Sequence, residues 1–428
     1  MAQNSLTIVD NRTGKTYEVA IRDGAVSAAD LRKIQTSPLD GGLMSYDPAL
    51  RNTATCRSAI TFVDGRAGIL RYRGYPIEEL VDASTYLEVA YLIFHGELPD
   101  RDQFARWQAE IAENYLIHQN LTGFLDGFRY DAHPMGVLIS SVAALSTLFP
   151  DASNITDPAV RRRQAIRLVG QVPTLAAFAH RRRTGMPYAY PDPSLGYAGN
   201  FLNMMFKMTE LRYRPDPIIE HALEVLFILH ADHEQACSTT TMRCVGSAKS
   251  DPFSAASAAA AGLYGRFHDE AYDAVLNMLS GIGSSAGIPA FIEKVKQERS
   301  EPSGFGHRVY KTYDPRARIL RAEAEKVFKV VHRPRIFDIA LELEERTGRD
   351  PYFTENALYP IVDYYEAILY HAIGFPTELF PVLFAMPRFI GWVSQWSEMI
   401  GEPTQRAFRP RQIYTGPAER HYAPVDRR

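Results

Sequence analysis

The chain is poor in cysteine, with Cys56, Cys237 and Cys244 as its only three in 428 residues. So sparse and odd a set argues against a disulfide framework and for a reducing compartment. Long apolar runs are missing too, and none could span a bilayer. The opening, Met1-Ala2-Gln3-Asn4-Ser5-Leu6-Thr7, is neither a secretory signal core nor an Arg-rich presequence. Val425-Asp426-Arg427-Arg428 is not a peroxisomal address. Cytoplasm is the expected location. Charge of one sign is also lacking: 47 basic residues against 50 acidic leave a net charge of −3. Neither nucleic acid nor an anionic membrane is expected as a partner. There are no cysteine pairs at metal-ligand spacing and no two histidines four apart around a glutamate, so no metal is expected. Sequence repeats and low-complexity tracts are absent. What is there is a chain that is 46% apolar, long enough for two or three domains or one large helical body with an inserted lobe.

Strand signals are confined to the first part. Leu6-Thr7-Ile8-Val9 and Thr16-Tyr17-Glu18-Val19-Ala20-Ile21, joined through Gly14, form a hairpin pattern. Ile60–Val63 and Gly68–Tyr72 suggest a second pair, and after about residue 76 the signals stop. From there the text is helical. Helices are expected at Tyr86–Phe94, Asp102–His118, Pro134–Leu148, Asp157–Arg183, Pro217–Cys237, Ser254–Ala261, Asp269–Ser280, Ile288–Arg299, Arg316–Val331, Arg335–Thr347, Val362–Ile373 and Pro376–Ser397. The Ala-rich member, 254–261, requires close neighbours because nothing on it holds them apart. The runs Arg161-Arg162-Arg163 and Arg181-Arg182-Arg183 read as solvated helix faces.

Chemistry-bearing residues gather in a few places. Gly304-Phe305-Gly306-His307-Arg308-Val309-Tyr310-Lys311-Thr312-Tyr313-Asp314-Pro315-Arg316 sets a histidine near an arginine in a Gly- and Pro-broken stretch. Such a stretch is a basic loop with a helix cap, or a seat for a small oxo-acid held by a guanidinium fork. His230 and His233, three apart on the expected Pro217–Cys237 helix, are metal ligands, buried hydrogen-bonded histidines, or an anion site. His268 sits at a helix start, as an N-cap or as a neutral imidazole donor. Asp363, in apolar and aromatic text at another helix start, is a cap or a base of raised pKa. Arg388, beside Pro387, is a charge among apolar residues and needs an anionic partner. Arg409 and Arg411 fall in a loop.

In this order along the chain, the residues resemble the citrate synthase family, most closely its bacterial-type branch. The resemblance is carried by Gly304 through Arg316, Asn200–Phe206, His230-Ala231-Asp232-His233-Glu234-Gln235, Val362-Asp363-Tyr364-Tyr365, Gly391-Trp392 and Arg409-Pro410-Arg411-Gln412. It implies a mainly α, two-domain helical fold with a small N-terminal β region. The expected organisation is a β-rich segment over 1–75, a large domain over 76–264 and 376–428, and a small domain over 265–375 that closes on the substrates. The implied activity is that of an acyltransferase converting acyl groups into alkyl on transfer, which condenses an acyl-CoA with oxaloacetate and then hydrolyses the thioester. Asp363 is the implied base, His268 and His307 the implied donors, and His230, Arg316, Arg388 and Arg409 the ligands of oxaloacetate. Arg409 would come from a neighbouring subunit, so a homodimer or larger homo-oligomer is expected. Acyl-CoA is expected at Gly304, Phe305, Gly306, Arg308 and Lys311. No metal or redox cofactor is implied.

The chain departs from the family pattern after His268. Where the family usually reads Gly-Gly-Ala-Asn-Glu, this chain has Asp269-Glu270-Ala271-Tyr272-Asp273. Arg266-Phe267 precedes the histidine instead of Pro-Ala, and Glu366-Ala367 follows Tyr365 in place of a small Ser-Gly pair. The changes gather where the acyl thioester is expected, while the oxaloacetate ligands are all retained. A longer acyl-CoA donor is therefore expected, as in the alkylcitrate synthases of fungal secondary metabolism. Plain acetyl-CoA and a non-catalytic oxaloacetate- or CoA-binding role are the alternatives. Retention of His268, His307 and Asp363 argues against the last.

Overall fold

The structure, a computed structural model, describes residues 4–428, except that the side chains of residues 267–269 lie outside the described residues. It separates into two compact units, 1–58 and 59–428. The first holds an antiparallel sheet in which Ser5–Asp10 pairs with Lys15–Arg22, Ser5 opposite Ala20 and Asp10 opposite Lys15, and Ala25–Val26 adds a short third strand. The second opens with the antiparallel strands Thr61–Asp64, Ile69–Tyr72 and Tyr75–Pro76 and is helical thereafter.

Helix starts follow a local rule. Five helices begin at an Asp-Pro pair: Pro158–Thr184, Pro217–His230, Pro252–Ala261, Pro315–Val327 and Pro351–Glu355. In each the aspartate side chain accepts the amide two residues on, and proline fills the first helical position, where no amide is needed. One hydrophobic core runs through the second unit and takes in all three tryptophans, Trp107, Trp392 and Trp396. The helix Phe380–Gly401 passes through it, packed on Pro158–Thr184, Cys237–Gly246, Pro217–His230 and Tyr86–His95. The Ala-rich helix Pro252–Ala261 lies against Pro134–Leu148 and Cys237–Gly246.

The structure corrects two expectations. The helix expected over Pro217–Cys237 stops at His230, and a separate helix runs from Cys237 to Gly246. Tyr72, fully buried, brings its hydroxyl to the carbonyls of Ile228, Leu229 and Asp232 at 3.1, 3.3 and 2.8 Å, giving the helix end a partner. Glu234 then turns left-handed at φ 54°. His230 and His233 therefore do not share a helix face. Nor are the arginine runs simply solvated: Arg181 is buried and donates to the carbonyls of Met204, Pro187 and Lys207. Arg162, Arg163 and Arg183 pair with Glu110, Asp151 and Glu378.

Gly391 sets the distance between Phe380–Gly401 and the 231–236 turn. A Cβ there would lie 2.2 Å from the Ala231 carbonyl oxygen and 2.6 Å from an Asp232 carboxylate oxygen. Gly391→Ala is expected to cost about 3 kcal/mol of stability, since packed backbone cannot yield to an added methyl. Denaturant unfolding checks this, and an unchanged midpoint would contradict it.

Candidate active site

The 304–316 segment is built on two glycines in the left-handed region, φ 78° at Gly304 and 77° at Gly306. They let the chain double back on residues 359–361. The Gly306 amide donates to the Tyr359 carbonyl and the Ile361 amide to the Gly304 carbonyl, each at 2.9 Å, and Phe305 pairs with Pro360 as an antiparallel bridge. Asp363 follows two residues later in the helix Val362–Ile373. The histidine loop and the aspartate helix are thus strapped together. From below, Lys311 donates its amide to the Gly65 carbonyl at 2.7 Å.

His307 has a defined tautomer. Its Nδ1 accepts the amides of Val309 at 3.0 Å and Tyr310 at 3.1 Å. A ring that accepts at Nδ1 carries its proton on Nε2 and can donate it. Burial, and then the nearby Arg316 charge, pull its pKa down to about 4. The ring is neutral at pH 7 and acts as a hydrogen-bond donor.

Asp314 caps Pro315–Val327 and grips its own Arg316, with Nε 3.1 Å from Oδ1 and Nη2 2.9 Å from Oδ2. The same Oδ2 accepts the Val362 amide at 3.2 Å. One buried carboxylate therefore joins the starts of two helices and orients a buried guanidinium. Arg316 is the electrostatic hub of the region: its charge acts on the ionisation of His230, His233, His307, Asp363 and Glu366.

Arg388 is buried, stacks 4.8 Å from the centre of the Phe384 ring and donates Nε to the His230 carbonyl. Its Nη2 is buried and has no hydrogen-bond partner among the described residues. A guanidinium left in that state is prepared for an anion. Arg388→Ala is expected to raise the oxaloacetate KM by on the order of 10²-fold, the cost of losing a buried charge-assisted contact. Steady-state kinetics at varied oxaloacetate measures it, and a KM within twofold of the parent would refute it.

Asp363 is partly buried. Burial, the largest cause, pushes its pKa up to about 7. A carboxylate so raised is a stronger base than one in water.

His233 is not among the ligands that the family resemblance implies, yet its ring centre is 5.7 Å from that of His307 and its Nε2 is 3.3 Å from the Tyr310 hydroxyl. Reading Pro217–Cys237 as one helix puts it on the face of His230 instead. The polar run Asp232-His233-Glu234-Gln235 after an apolar helix is the available sign of a helix end.

Other expected residues fall elsewhere. Phe305 is a core side chain, 4% exposed and edge-on to Tyr364 and Phe353, so its ring does not offer a surface to acyl-CoA. Arg308 and Lys311 are exposed at the loop rim, with Lys311 Nζ 3.2 Å from the His307 carbonyl. Arg409 is exposed on the irregular tail beyond Gly401 and takes no place in this cluster. The His268 side chain lies outside the described residues. Among the departures from the family pattern, Glu270 is exposed and pairs with Arg266 at 3.0 Å, whereas Tyr272 and Glu366 are buried. Glu366 stands 3.0 Å from His230, a residue expected on the keto-acid side, so the departures are not confined to the acyl side. No group of three or more His, Cys, Asp or Glu residues suited to a metal occurs among the described residues.

The family model for the citrate synthase C-terminal domain matches residues 49–411. The chain belongs to the citrate synthase family. It is 47% identical over 433 residues to a citrate synthase of Dictyostelium discoideum, covering all of this chain and 85% of that one. The structure is similar to that of citrate synthase from Pyrobaculum aerophilum, with a TM-score of 0.83 and 34% identity over 92% of this chain and 97% of that one. It is likewise similar to the ternary complex of Thermoplasma acidophilum citrate synthase with carboxymethyl coenzyme A and oxaloacetate. There the TM-score is 0.78, with 31% identity over 88% of this chain and 98% of that one. The mainly helical family fold expected from the sequence is the fold observed.

Proposed function

We propose that this chain condenses an acyl-CoA with oxaloacetate and then hydrolyses the thioester to release CoA. The observation that carries this reading is the convergence around Arg316 of a raised carboxyl, Asp363, and a neutral donor imidazole, His307, near Arg388 with its unpartnered nitrogen. Asp363 removes the α-proton of the acyl group. The resulting enolate carbon attacks the ketone carbon of oxaloacetate while the His307 Nε2–H hydrogen-bonds to the ketone oxygen and stabilises the charge developing there, and the alkoxide so formed takes a proton from solvent. Water then cleaves the thioester. Arg316, Arg388, His230 and Arg409 hold the two carboxylates, His233 joins them beside His307, and His268 donates to the thioester oxygen. Closure of the 265–375 lobe excludes water during condensation. The chemistry requires no metal or redox cofactor. The active unit is a homodimer, with Arg409 supplied across the interface.

The donor we propose is longer than acetyl-CoA, so that the product is an alkylcitrate. Its support is the replaced segment Asp269-Glu270-Ala271-Tyr272-Asp273 and the Arg266-Phe267 pair before His268. Acetyl-CoA is the second reading, favoured by the plain citrate synthase names of full-length relatives and by Glu366 lying against His230. Thiol release, measured with oxaloacetate and acyl-CoAs of graded length, separates them. Fastest turnover is expected with a longer chain. Fastest turnover with acetyl-CoA would replace this donor assignment, and no turnover with any donor would overturn the enzymatic reading.

A further inference from the structure

Beneath Asp363 the chain buries an acid that the proposed reaction does not use. Glu366 is fully buried, and its Oε1 is 3.0 Å from Nε2 of the equally buried His230. Its surroundings come from five helices. Asp363 and Tyr370 share its own helix, Val362–Ile373, and Tyr272 comes from Arg266–Ile282. His230 ends Pro217–His230, Arg388 lies on Phe380–Gly401, and Arg316 and Asp314 stand at the start of Pro315–Val327. No lysine or arginine forms an ion pair with Glu366 among the described residues, whereas Arg316 has Asp314. The Tyr272 and Tyr370 hydroxyls act on the same carboxyl, yet neither of its oxygens has a hydrogen bond of full geometry. His230 Nδ1 has no partner either.

We propose that Glu366 is a positioning residue: as a neutral acid it donates its proton to His230 Nε2 and so holds the imidazole in the Nδ1–H form, a donor for an oxygen of the keto-acid. Donor and acceptor counting supports this direction. With the acid O–H hydrogen-bonded to His230 Nε2, the remaining carboxyl oxygen accepts from the tyrosine hydroxyls and each group keeps a role. Reversed, Nε2–H would donate to the carboxyl, and the acid proton would have to go to a tyrosine oxygen. Burial also opposes charge on both partners. It raises the Glu366 carboxyl to about 8, and together with Arg388 and Arg316 it holds His230 well below the usual histidine range.

The neutral acid adds no negative charge beside a dianionic substrate. As Glu366 ionises, Nε2–H turns to the carboxylate, Nδ1 becomes an acceptor, and the site gains a negative charge. Oxaloacetate binding should therefore weaken as pH rises through about 8. This consequence for binding rests on the reaction proposed above, while the tautomer does not.

The test is nitrogen NMR of the whole protein labelled with ¹⁵N-histidine, with the His230 signals assigned by their loss in His230→Gln. At pH 6.5 the expected result is a protonated Nδ1 and a bare Nε2, with the pattern reversing above pH about 8.5. Glu366→Gln, whose amide still donates to Nε2, should keep the Nδ1–H pattern, lose the reversal and bind oxaloacetate within about threefold of the parent. Glu366→Leu should lose the pattern and raise the oxaloacetate KM by about tenfold. A protonated Nε2 at pH 6.5 in the parent protein overturns the proposal, as does an equal effect of the Gln and Leu variants. If the Leu variant does not fold, the parent spectrum alone decides. The expected spectrum in a protein that releases no thiol would defeat the proposed reaction and leave the tautomer assignment standing.

Discussion

Asp363→Ala is expected to abolish proton exchange at the acyl α-carbon while leaving oxaloacetate binding largely intact. The α-proton of a thioester is a reluctant acid, and an aspartate of ordinary pKa would be a poor match for it. Here burial, the largest cause, raises the carboxyl to about 7. Removing a general base of this kind costs about 10³-fold in turnover. Oxaloacetate should still bind, because Arg316 is held by Asp314 and Arg388 by the His230 carbonyl, neither through Asp363. The sign of the pH dependence follows. Below pH about 7 the carboxyl is protonated and cannot accept a proton, so kcat/KM should fall as pH drops through that value. Exchange is read by proton NMR of the acyl-CoA in deuterium oxide, and oxaloacetate affinity by titration calorimetry. Near-normal turnover in Asp363→Ala would remove Asp363 from the role. Exchange that survives there and vanishes in the Asp363→Ala, Glu366→Gln pair would assign the proton to Glu366 instead.

What the sequence shows and conceals divides along physical lines. Four of the five Asp-Pro helix starts lie within two residues of the expected ones, because capping needs only the next two residues, whereas the short helix Pro351–Glu355 is not among those expected. Both hairpins are legible for the same reason, through alternation and turn residues. The His307 loop stands out because Gly304, Gly306 and Pro315 restrict the backbone whatever surrounds them. The end of the helix at His230 is marked in the sequence only by the polar run after it, since it depends on the distant Tyr72 being bonded to its last carbonyls, a contact that no local signal contains. His233, expected on one helix face with His230, lies off that face as a consequence. Arg181 reads as surface charge because nothing near it in sequence announces the three carbonyls that receive it. Glu366 is visible as a departure, but the sequence alone points it toward the wrong neighbour. Its place one turn after Asp363 is readable, whereas its contact with His230 requires the packing of two distant helices.

Mixing two inactive variants should restore activity, and this is the sharpest test of the shared site. Arg409 is exposed on an irregular tail of the single chain, whereas Arg388, Arg316 and Asp363 belong to the packed helical body. If a second copy delivers Arg409, then Asp363→Ala and Arg409→Ala damage each site from different chains. In a mixed dimer one site carries both defects and the other carries neither. Dissociating and reassociating equal amounts should place half of the chains in mixed dimers, each with one intact site, and so recover about a quarter of the parent activity from parents that are each nearly inactive. Arg409→Ala alone should chiefly raise the oxaloacetate KM, as loss of one guanidinium from a carboxylate clamp does, so the mixing is assayed at oxaloacetate near the parent KM, where this variant is nearly inactive. Thiol release after mixing is the measurement. Recovery that stays at the level of the separate variants, although labelled subunits are seen to exchange, would place Arg409 in its own chain's site or outside the reaction altogether. Recovery near a quarter would make the dimer the smallest catalytic unit, because a guanidinium on a tail can complete an anion seat only where a neighbouring copy offers one.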